Sequence, residues 1–326
     1  MSIALGDFDG DNHTDLIVPN YLDKKVYVFL GYGNGSFSMP VVTETVTDAF
    51  ATAVGDFNGD SRADIAVVST WNASVSILLG QGDGTFQSTM VFPVVSYPSS
   101  IFVKDLNNDQ RLDLLVSNFG ANTVSVLLGY GDGTFAPQTI FATGIGPYTV
   151  VSADFNHDNY FDFAVTNYFG NTVSVHLGFG NGSFRTRNSY PTKAEPSALA
   201  VDDLNNDQHM DLISGNCGNG SISVLMGNGN GTFRPAHHYM IGDCVNTVAI
   251  GDFDGDSNPD VFISGTESDT FRILFGDGTG TLVESLFFDT TYGSTAVVLN
   301  DFNGDGRLDI ALAHMQSGVN VFLNKC

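Results

Sequence analysis

An acidic nine-residue stretch recurs seven times in this chain at constant spacing, and that period limits the fold more than any other feature. The clearest copy is Asp301-Phe302-Asn303-Gly304-Asp305-Gly306-Arg307-Leu308-Asp309. The first residues of the copies, Asp7, Asp56, Asp105, Asp154, Asp203, Asp252 and Asp301, stand 49 residues apart with no insertion or deletion. A fixed period of this length means that each unit is one supersecondary module whose apolar face is buried by its neighbours. The length of 326 residues, which alone would favour two domains, is therefore read as one array. We expect residues 1–326 to form a single domain and, because the chain opens inside a repeat, to be a piece of a longer protein.

Unit three shows what each module contains. Ile101-Phe102-Val103 leads into the Asp105 stretch, and Leu114-Leu115-Val116 follows it. A polar turn over 118–122 precedes Thr123–Leu128, then comes Gly129-Tyr130-Gly131-Asp132-Gly133-Thr134-Phe135, and a looser run ends at Pro147. Short β-rich runs bounded by Gly, Asn, Asp and Pro are strands and turns, and Asp132-Gly133 is a hairpin signal. Each unit is thus four strands, A to D, with the acidic stretch joining A to B. Strands B and C are apolar on both faces, so each sheet needs a neighbour on either side. Four-stranded sheets stacked face to face and closed on themselves make a β-propeller. The fold class expected is all-β, with seven blades. The last unit stops at strand C, over Val319–Leu323, and is one residue short in its B–C turn. Its blade should have three strands, unless upstream residues supply a fourth.

Within every copy, acidic or amide side chains occupy positions one, three, five and nine, an oxygen-rich spacing that suits a hard cation taking six to eight oxygens. Calcium fits better than magnesium, which demands stricter octahedral geometry and keeps its waters. The competing reading is a set of Asx turns holding no ion, but three or four carboxylates in one tight loop repel without a cation. Position four is Gly or Asn in six copies and His157 in unit four, whose site is the least expected to fill. A cation bound only by the folded state would stabilise it, so the expected role is structural.

The net charge of −24 is explained by the same loops, because 23 of the 36 acidic residues lie in them and the remaining 13 nearly balance 12 Lys and Arg. No basic patch is left to bind nucleic acid. There is no apolar run long enough to span a membrane and no signal-type segment at the start. Of the three cysteines, Cys217 and Cys244 fall at the same end of the array, where a disulfide or two free thiols are both open, and Cys326 has no partner. A disulfide would favour secretion.

The runs Asp56-Phe57-Asn58-Gly59-Asp60 through Asp64-Ile65-Ala66-Val67-Val68, and Val124-Ser125-Val126-Leu127-Leu128-Gly129 through Phe135, resemble FG-GAP/VCBS-type repeats. These are the repeats of integrin α-subunit propellers and of a fungal seven-bladed lectin of integrin-like fold. The resemblance covers essentially the whole chain and implies up to seven Ca2+ ions, one per repeat. It implies side-chain oxygens from positions one, three and five, a backbone carbonyl from position seven and a carboxylate from position nine. The implied ligands are Asp7, Asp9, Asp11, His13 and Asp15 in unit one; Asp56, Asn58, Asp60, Arg62 and Asp64 in unit two; and Asp105, Asn107, Asp109, Arg111 and Asp113 in unit three. Unit four supplies Asp154, Asn156, Asp158, Tyr160 and Asp162, and unit five Asp203, Asn205, Asp207, His209 and Asp211. Units six and seven supply Asp252, Asp254, Asp256, Asn258 and Asp260, then Asp301, Asn303, Asp305, Arg307 and Asp309.

The B–C turns and D–A connectors lie at the end away from these loops, and carry Tyr21, Trp71, Phe119, Tyr148, Tyr168 and Phe169. Exposed aromatics there would bind a protein or stack on sugar; the alternative is that they pack blade against blade. Asn20, Asn118, Asn167 and Asn216 recur at the end of strand B and read as turn caps. No nucleophile elbow, phosphate loop or zinc spacing is present, and His314 is the one histidine placed near an open turn. We therefore expect no enzyme. The expectation is a monomeric, extracellular or cell-surface adhesion module that binds a protein partner through the face opposite the loops. A carbohydrate-binding lectin is the alternative.

Overall fold

A computed structural model describes residues 2–45, 47–265, 269–290, 293–314 and 318–325. These residues form seven antiparallel sheets and no helix. In six sheets the strands run A-B-C-D in chain order; blade 3, for example, is Pro98–Lys104, Asp113–Asn118, Thr123–Leu127 and Thr139–Ala142. Blade 7 has three strands, Ser294–Asn300, Asp309–His314 and Val319–Phe322, as its sequence predicts. Its shortened B–C turn falls partly outside the described residues.

Strand B is the most buried element of its sheet. Asp64–Ser69, Asp113–Asn118 and Asp162–Asn167 are buried at every position, because both faces of the strand meet an adjoining blade. The core is accordingly divided into layers between blades. One holds Phe57, Ile77, Leu114 and Phe135 from blades 2 and 3; another holds Leu106, Val126, Phe163 and Phe184 from blades 3 and 4. The A strands surround the axis and line a cavity of about 520 Å³, to which Tyr21 and Tyr148 contribute together with Ser99, Thr149, Ser197 and Thr247.

The ring closes without a strand shared between the first and last blades. Ile3 and Leu16 of blade 1 pack with Phe302 and Ala311 of blade 7. The Gly35 N–H donates to the Phe302 carbonyl at 2.8 Å, and the Asn300 amide donates to the Thr14 hydroxyl at 2.6 Å. The Gly35 bond repeats a contact made elsewhere in the ring, where Gly84, Gly133, Gly182 and Gly231 donate to Phe8, Phe57, Leu106 and Phe155 of the preceding blade.

The hairpins between strands C and D form where the Asn-Gly and Asp-Gly pairs predict them, with the left-handed residues distributed differently from a tight two-residue turn. Gly131 and Gly133 take positive φ (75° and 83°) and Asp132 between them does not. Instead, the Asp132 carboxylate accepts the Thr134 N–H and hydroxyl, an Asx turn inside a wider loop.

Candidate functional site

Each acidic stretch folds into the same compact loop by turning its own carboxylates onto its own backbone. In unit one the two oxygens of Asp7 accept the N–H groups of Gly10 (2.7 Å) and Asn12 (3.0 Å), Asp9 accepts from Asp11, and Asp11 accepts from His13. The pattern returns in unit seven, where Asp301 accepts from Gly304 and Gly306. Positions four and six both require left-handed backbone: Gly59 and Ser61 have φ of 76° and 65°. His157 adopts φ of 59° like its counterparts Asn108 and Asn206, so unit four follows the common path despite its unusual side chain. The requirement at position six is met by Asn12, Ser61, Gln110, Asn159, Gln208, Ser257 and Gly306, too varied a set to be read from sequence.

The carboxylates converge as a cation site needs. One oxygen each from Asp7, Asp9 and Asp15 lies within 4.8 Å of the others, and Asp252, Asp254 and Asp260 make the same arrangement. These are the loops with four Asp. In the other five, position three is an Asn that donates its amide to the position-five carboxylate, as Asn58 does to Asp60 at 3.2 Å.

Position nine does more than close the loop. Asp15 is fully buried; one oxygen accepts the Phe8 N–H at 2.7 Å and the other the Gly31 N–H at 2.7 Å. Asp64, Asp113, Asp162, Asp211 and Asp260 bind the equivalent pairs, and Asp309 binds Phe302 and Asn324. The acid therefore ties the A–B loop to the start of the C–D hairpin. A glycine stands sixteen residues after it because the chain passes too close for a side chain: a Cβ on Gly129 would meet the Leu112 carbonyl oxygen at 2.2 Å. Burial pushes these carboxyls up, against the pull of the two N–H donors, and the other acids of the loop push them further. Asp15, Asp113 and Asp211 reach about 6 and Asp162 about 7. A cation beside such a group would offset that cost.

Position seven, which the repeat pattern uses only through its carbonyl, also places its side chain against the hairpin. His13, Arg62, Arg111, Tyr160, His209 and Asn258 lie against Gly33, Gly82, Gly131, Gly180, Gly229 and Gly278. His209 further meets His157 of the preceding blade, ring nitrogen to ring nitrogen, at 2.8 Å.

At the opposite end the predicted aromatics divide into three sets. Trp71 is 71% exposed and meets Tyr97 edge-on at 5.6 Å. Phe119, Tyr148 and Tyr168 form a half-buried cluster with Phe169, which is 60% exposed. Tyr168 donates its hydroxyl to Glu195, and burial together with that acid raises it to about 12. Tyr21 stands apart from both groups, on the axial cavity. Tyr97 and the exposed Ile145 leave no repeat signal in the sequence: their connectors share a proline (Pro98, Pro147, Pro196), but Gly146 and Glu195 stand at the place of Tyr97, and Ser96 and Ala194 at that of Ile145. The recurrent asparagines are structural: Asn20 accepts from the N–H groups of its own turn, while Asn118, Asn167 and Asn216 reach across to hydroxyls on strand C. Cys217 and Cys244 form a disulfide across the B–C turn of blade 5 and the following connector; Cys326 lies outside the described residues. His314 does not face an open turn; it is buried at the end of strand B, with a ring nitrogen 3.4 Å from the Gly293 carbonyl.

The sequence matches the pattern of the FG-GAP-like repeat over residues 7–67, 56–116, 105–165, 203–263 and 252–312. The chain belongs to the FG-GAP-like repeat family. Each match runs from one acidic loop into strand B of the next blade, so the matched unit straddles a blade boundary, as the repeated seam contacts do. No curated protein matches the sequence. Among solved structures, an Agrocybe aegerita lectin that recognises non-reducing terminal N-acetylglucosamine is similar at 19% identity and a TM-score of 0.66, over 97% of this chain and 85% of the lectin. BBS1N, solved in complex with ARL6DN, is similar at 12% identity and a TM-score of 0.71, over 99% of this chain and 91% of its own. A putative 6-phosphogluconolactonase from Bacteroides uniformis reaches 16% identity and a TM-score of 0.72, over 94% and 91%. At these identities the likeness is one of fold. Among the described residues no helix is long and apolar enough to cross a membrane.

Proposed function

We propose that this FG-GAP-like propeller is an extracellular recognition module, without catalytic activity, that calcium holds in shape and that binds a protein partner through the end opposite the acidic loops. The cation would be held in each repeat by the side chains at positions one, three, five and nine with the position-seven carbonyl, and it would offset the negative charge that those carboxylates bring together. The convergence of Asp7, Asp9 and Asp15 and the raised carboxyl of Asp15 support that role. The disulfide supports an oxidising compartment.

The observation that carries the binding face is the exposed Trp71–Tyr97 pair beside the Phe119, Tyr148, Tyr168 and Phe169 cluster. Aromatic anchors of this kind dominate binding energy in protein interfaces. The turns that carry them differ between blades, which suits one extended partner better than seven equal sugar sites. A lectin is the second reading, favoured by the similar Agrocybe lectin and by the capacity of exposed rings to stack on sugars. Parallel arrays of secreted or cell-surface proteins and of glycans, probed with the wild type and with Trp71→Ala and Phe169→Ala, separate the two. We expect saturable binding to a protein, weakened in both variants. Binding confined to glycans favours the lectin, and binding that neither substitution changes removes this face from the account.

A further inference from the structure

Three of the turns at the aromatic end are held by backbone, whereas the turn that carries Trp71 is held by a buried acid. In blades 3, 4 and 5 the connector entering the blade lends two carbonyls to its B–C turn. The N–H groups of Phe119 and Gly120 donate to Tyr97 and Ser96, those of Tyr168 and Phe169 to Gly146 and Ile145, and those of Cys217 and Gly218 to Glu195 and Ala194, at 2.7–3.2 Å. In all three connectors the residue ahead of the proline takes left-handed backbone: Tyr97, Gly146 and Glu195 have φ of 53°, 70° and 58°.

Blade 2 departs from this form. Its connector has Asp48-Ala49 at the places of Tyr97-Pro98, and Asp48 does not take the left-handed conformation. The Asp48 carboxylate stands in for the two carbonyls. One oxygen accepts the N–H groups of Thr70 (2.9 Å) and Trp71 (3.3 Å), which occupy the places of Phe119 and Gly120. The other oxygen accepts the Ser69 hydroxyl, and the Ser69 oxygen in turn accepts the Asn72 N–H at 3.4 Å. Three consecutive N–H groups, Thr70 to Asn72, thus depend on one side chain that is 5% exposed. On the far side, the Thr70 hydroxyl donates to the Pro98 carbonyl at 2.8 Å, and Trp71 rests edge-on against Tyr97.

Both rings of this exposed pair are held by features that cost stability. A buried carboxylate loses its hydration, and the neutral carbonyls of the other connectors cap their turns without that loss. Tyr97, half exposed, occupies a left-handed position ahead of a proline, where blade 4 has a glycine that fits without strain. Capping a turn calls for neither feature, whereas rings fixed in advance lose less freedom when a partner binds.

We propose, resting on the reading of this end as the protein-binding face, that Asp48 is a positioning residue for recognition. Its carboxylate fixes the B–C turn of blade 2 so that Trp71 stands against Tyr97 before the partner arrives, and affinity depends on that rigidity as well as on the indole.

Trp71 is the sole tryptophan of the chain, so its fluorescence reports on the turn with no label and no ligand. Time-resolved anisotropy of the 326-residue protein should show the wild-type indole moving with the whole ring. Asp48→Ala should add a fast local motion and flatten the tryptophan band in near-ultraviolet circular dichroism. An array protein whose capture Trp71→Ala weakens should bind Asp48→Ala roughly tenfold more weakly than wild type. The Asp48→Gly, Ala49→Pro double variant installs the Gly146-Pro147 arrangement of blade 4, and should restore both the slow anisotropy and the affinity without the carboxylate. If Asp48→Ala does not melt cooperatively, Asp48→Asn, which keeps one acceptor, replaces it with a smaller loss of both. A mobile wild-type indole, or unchanged anisotropy in the folded Asp48 variant, overturns the positioning role whatever the arrays show. Full affinity in a variant with a loosened indole overturns the link to recognition. A double variant that regains the slow anisotropy but not the affinity also overturns it, and makes Asp48 a direct contact of the partner. Equal binding by Trp71→Ala removes the face itself and the recognition role with it, and is told apart by an anisotropy that still responds to Asp48.

Discussion

Replacing Asp162 by Asn separates the two tasks assigned to position nine. Asp162 is fully buried, and its oxygens accept the N–H groups of Phe155 at 2.9 Å and Gly178 at 2.7 Å. An asparagine amide keeps one acceptor and turns an NH2 group toward the other donor. Leaving one buried N–H unpaired costs about 1–3 kcal/mol. Relief of the buried charge, whose carboxyl is pushed to about 7, acts in the opposite direction and favours the lower half of that range. Where calcium is at tenfold excess over its Kd, loss of the site removes a further ~1.4 kcal/mol. For a chain of this length each kcal/mol is worth about 1.5 °C. We therefore expect Asp162→Asn to melt about 1.5–3 °C below wild type in excess chelator, and about 3.5–5 °C below it in calcium. Asp158→Asn, at position five, is the control: its bonds stay within the half-exposed loop, so its deficit should appear in calcium and nearly vanish in chelator. Differential scanning calorimetry of the three proteins in both buffers gives all six numbers. If Asp162→Asn melts with wild type in chelator, the carboxylate does not tie loop to hairpin.

Protonation, the disulfide and the seams give further tests. A carboxyl raised from 3.8 to about 6 or 7 binds its proton more tightly in the folded chain, so without calcium its contribution to stability is lost as pH rises through that window. Chelated protein should melt higher at pH 5.5 than at pH 7.5, while the increment from added calcium should be larger at pH 7.5, because the ligands must be deprotonated; a pH series of melts with and without calcium checks both signs. Reducing the Cys217–Cys244 bridge, 27 residues apart, should remove about 3–4 kcal/mol, measured against a Cys217→Ser, Cys244→Ser variant that no longer responds to reductant. Phe57→Ala breaks a ring pair at the seam of blades 2 and 3 and should cost about 3–5 kcal/mol, whereas Phe253→Ala, whose layer holds no hairpin phenylalanine of the next blade among the described residues, should cost less in the same denaturant titration.

The blade count, the strand order, the three-stranded last blade and the place of the loops were legible because a constant 49-residue period fixes each element relative to the Asp that opens its loop. What escaped the reading depends on contacts between distant parts of one unit or between units. The role of Asp113 in joining Leu106 to Gly129 is such a case; its trace in the sequence is the glycine standing sixteen residues after the loop's last Asp in six units. The packing of Arg62 and Tyr160 on the next hairpin left no comparable trace, since six different contacts are made by His, Arg, Tyr and Asn. The aromatic face was legible only in part. Trp71 and Phe169 sit in turns and are exposed as expected, but Tyr148 and Tyr168 proved half-buried against Phe119, and sequence alone does not distinguish a ring that packs on its neighbour from one that waits for a ligand.

The dependence of the ring on its acidic loops is tested most directly by titrating calcium into chelator-stripped protein while recording both bound ions and the melting temperature. We predict saturation at up to seven ions per chain, with the melting temperature climbing as the sites fill by roughly 10–15 °C in total at tenfold excess over Kd. A protein that binds no calcium, or that binds it with no change in its melt, would contradict the claim that cations hold the propeller together.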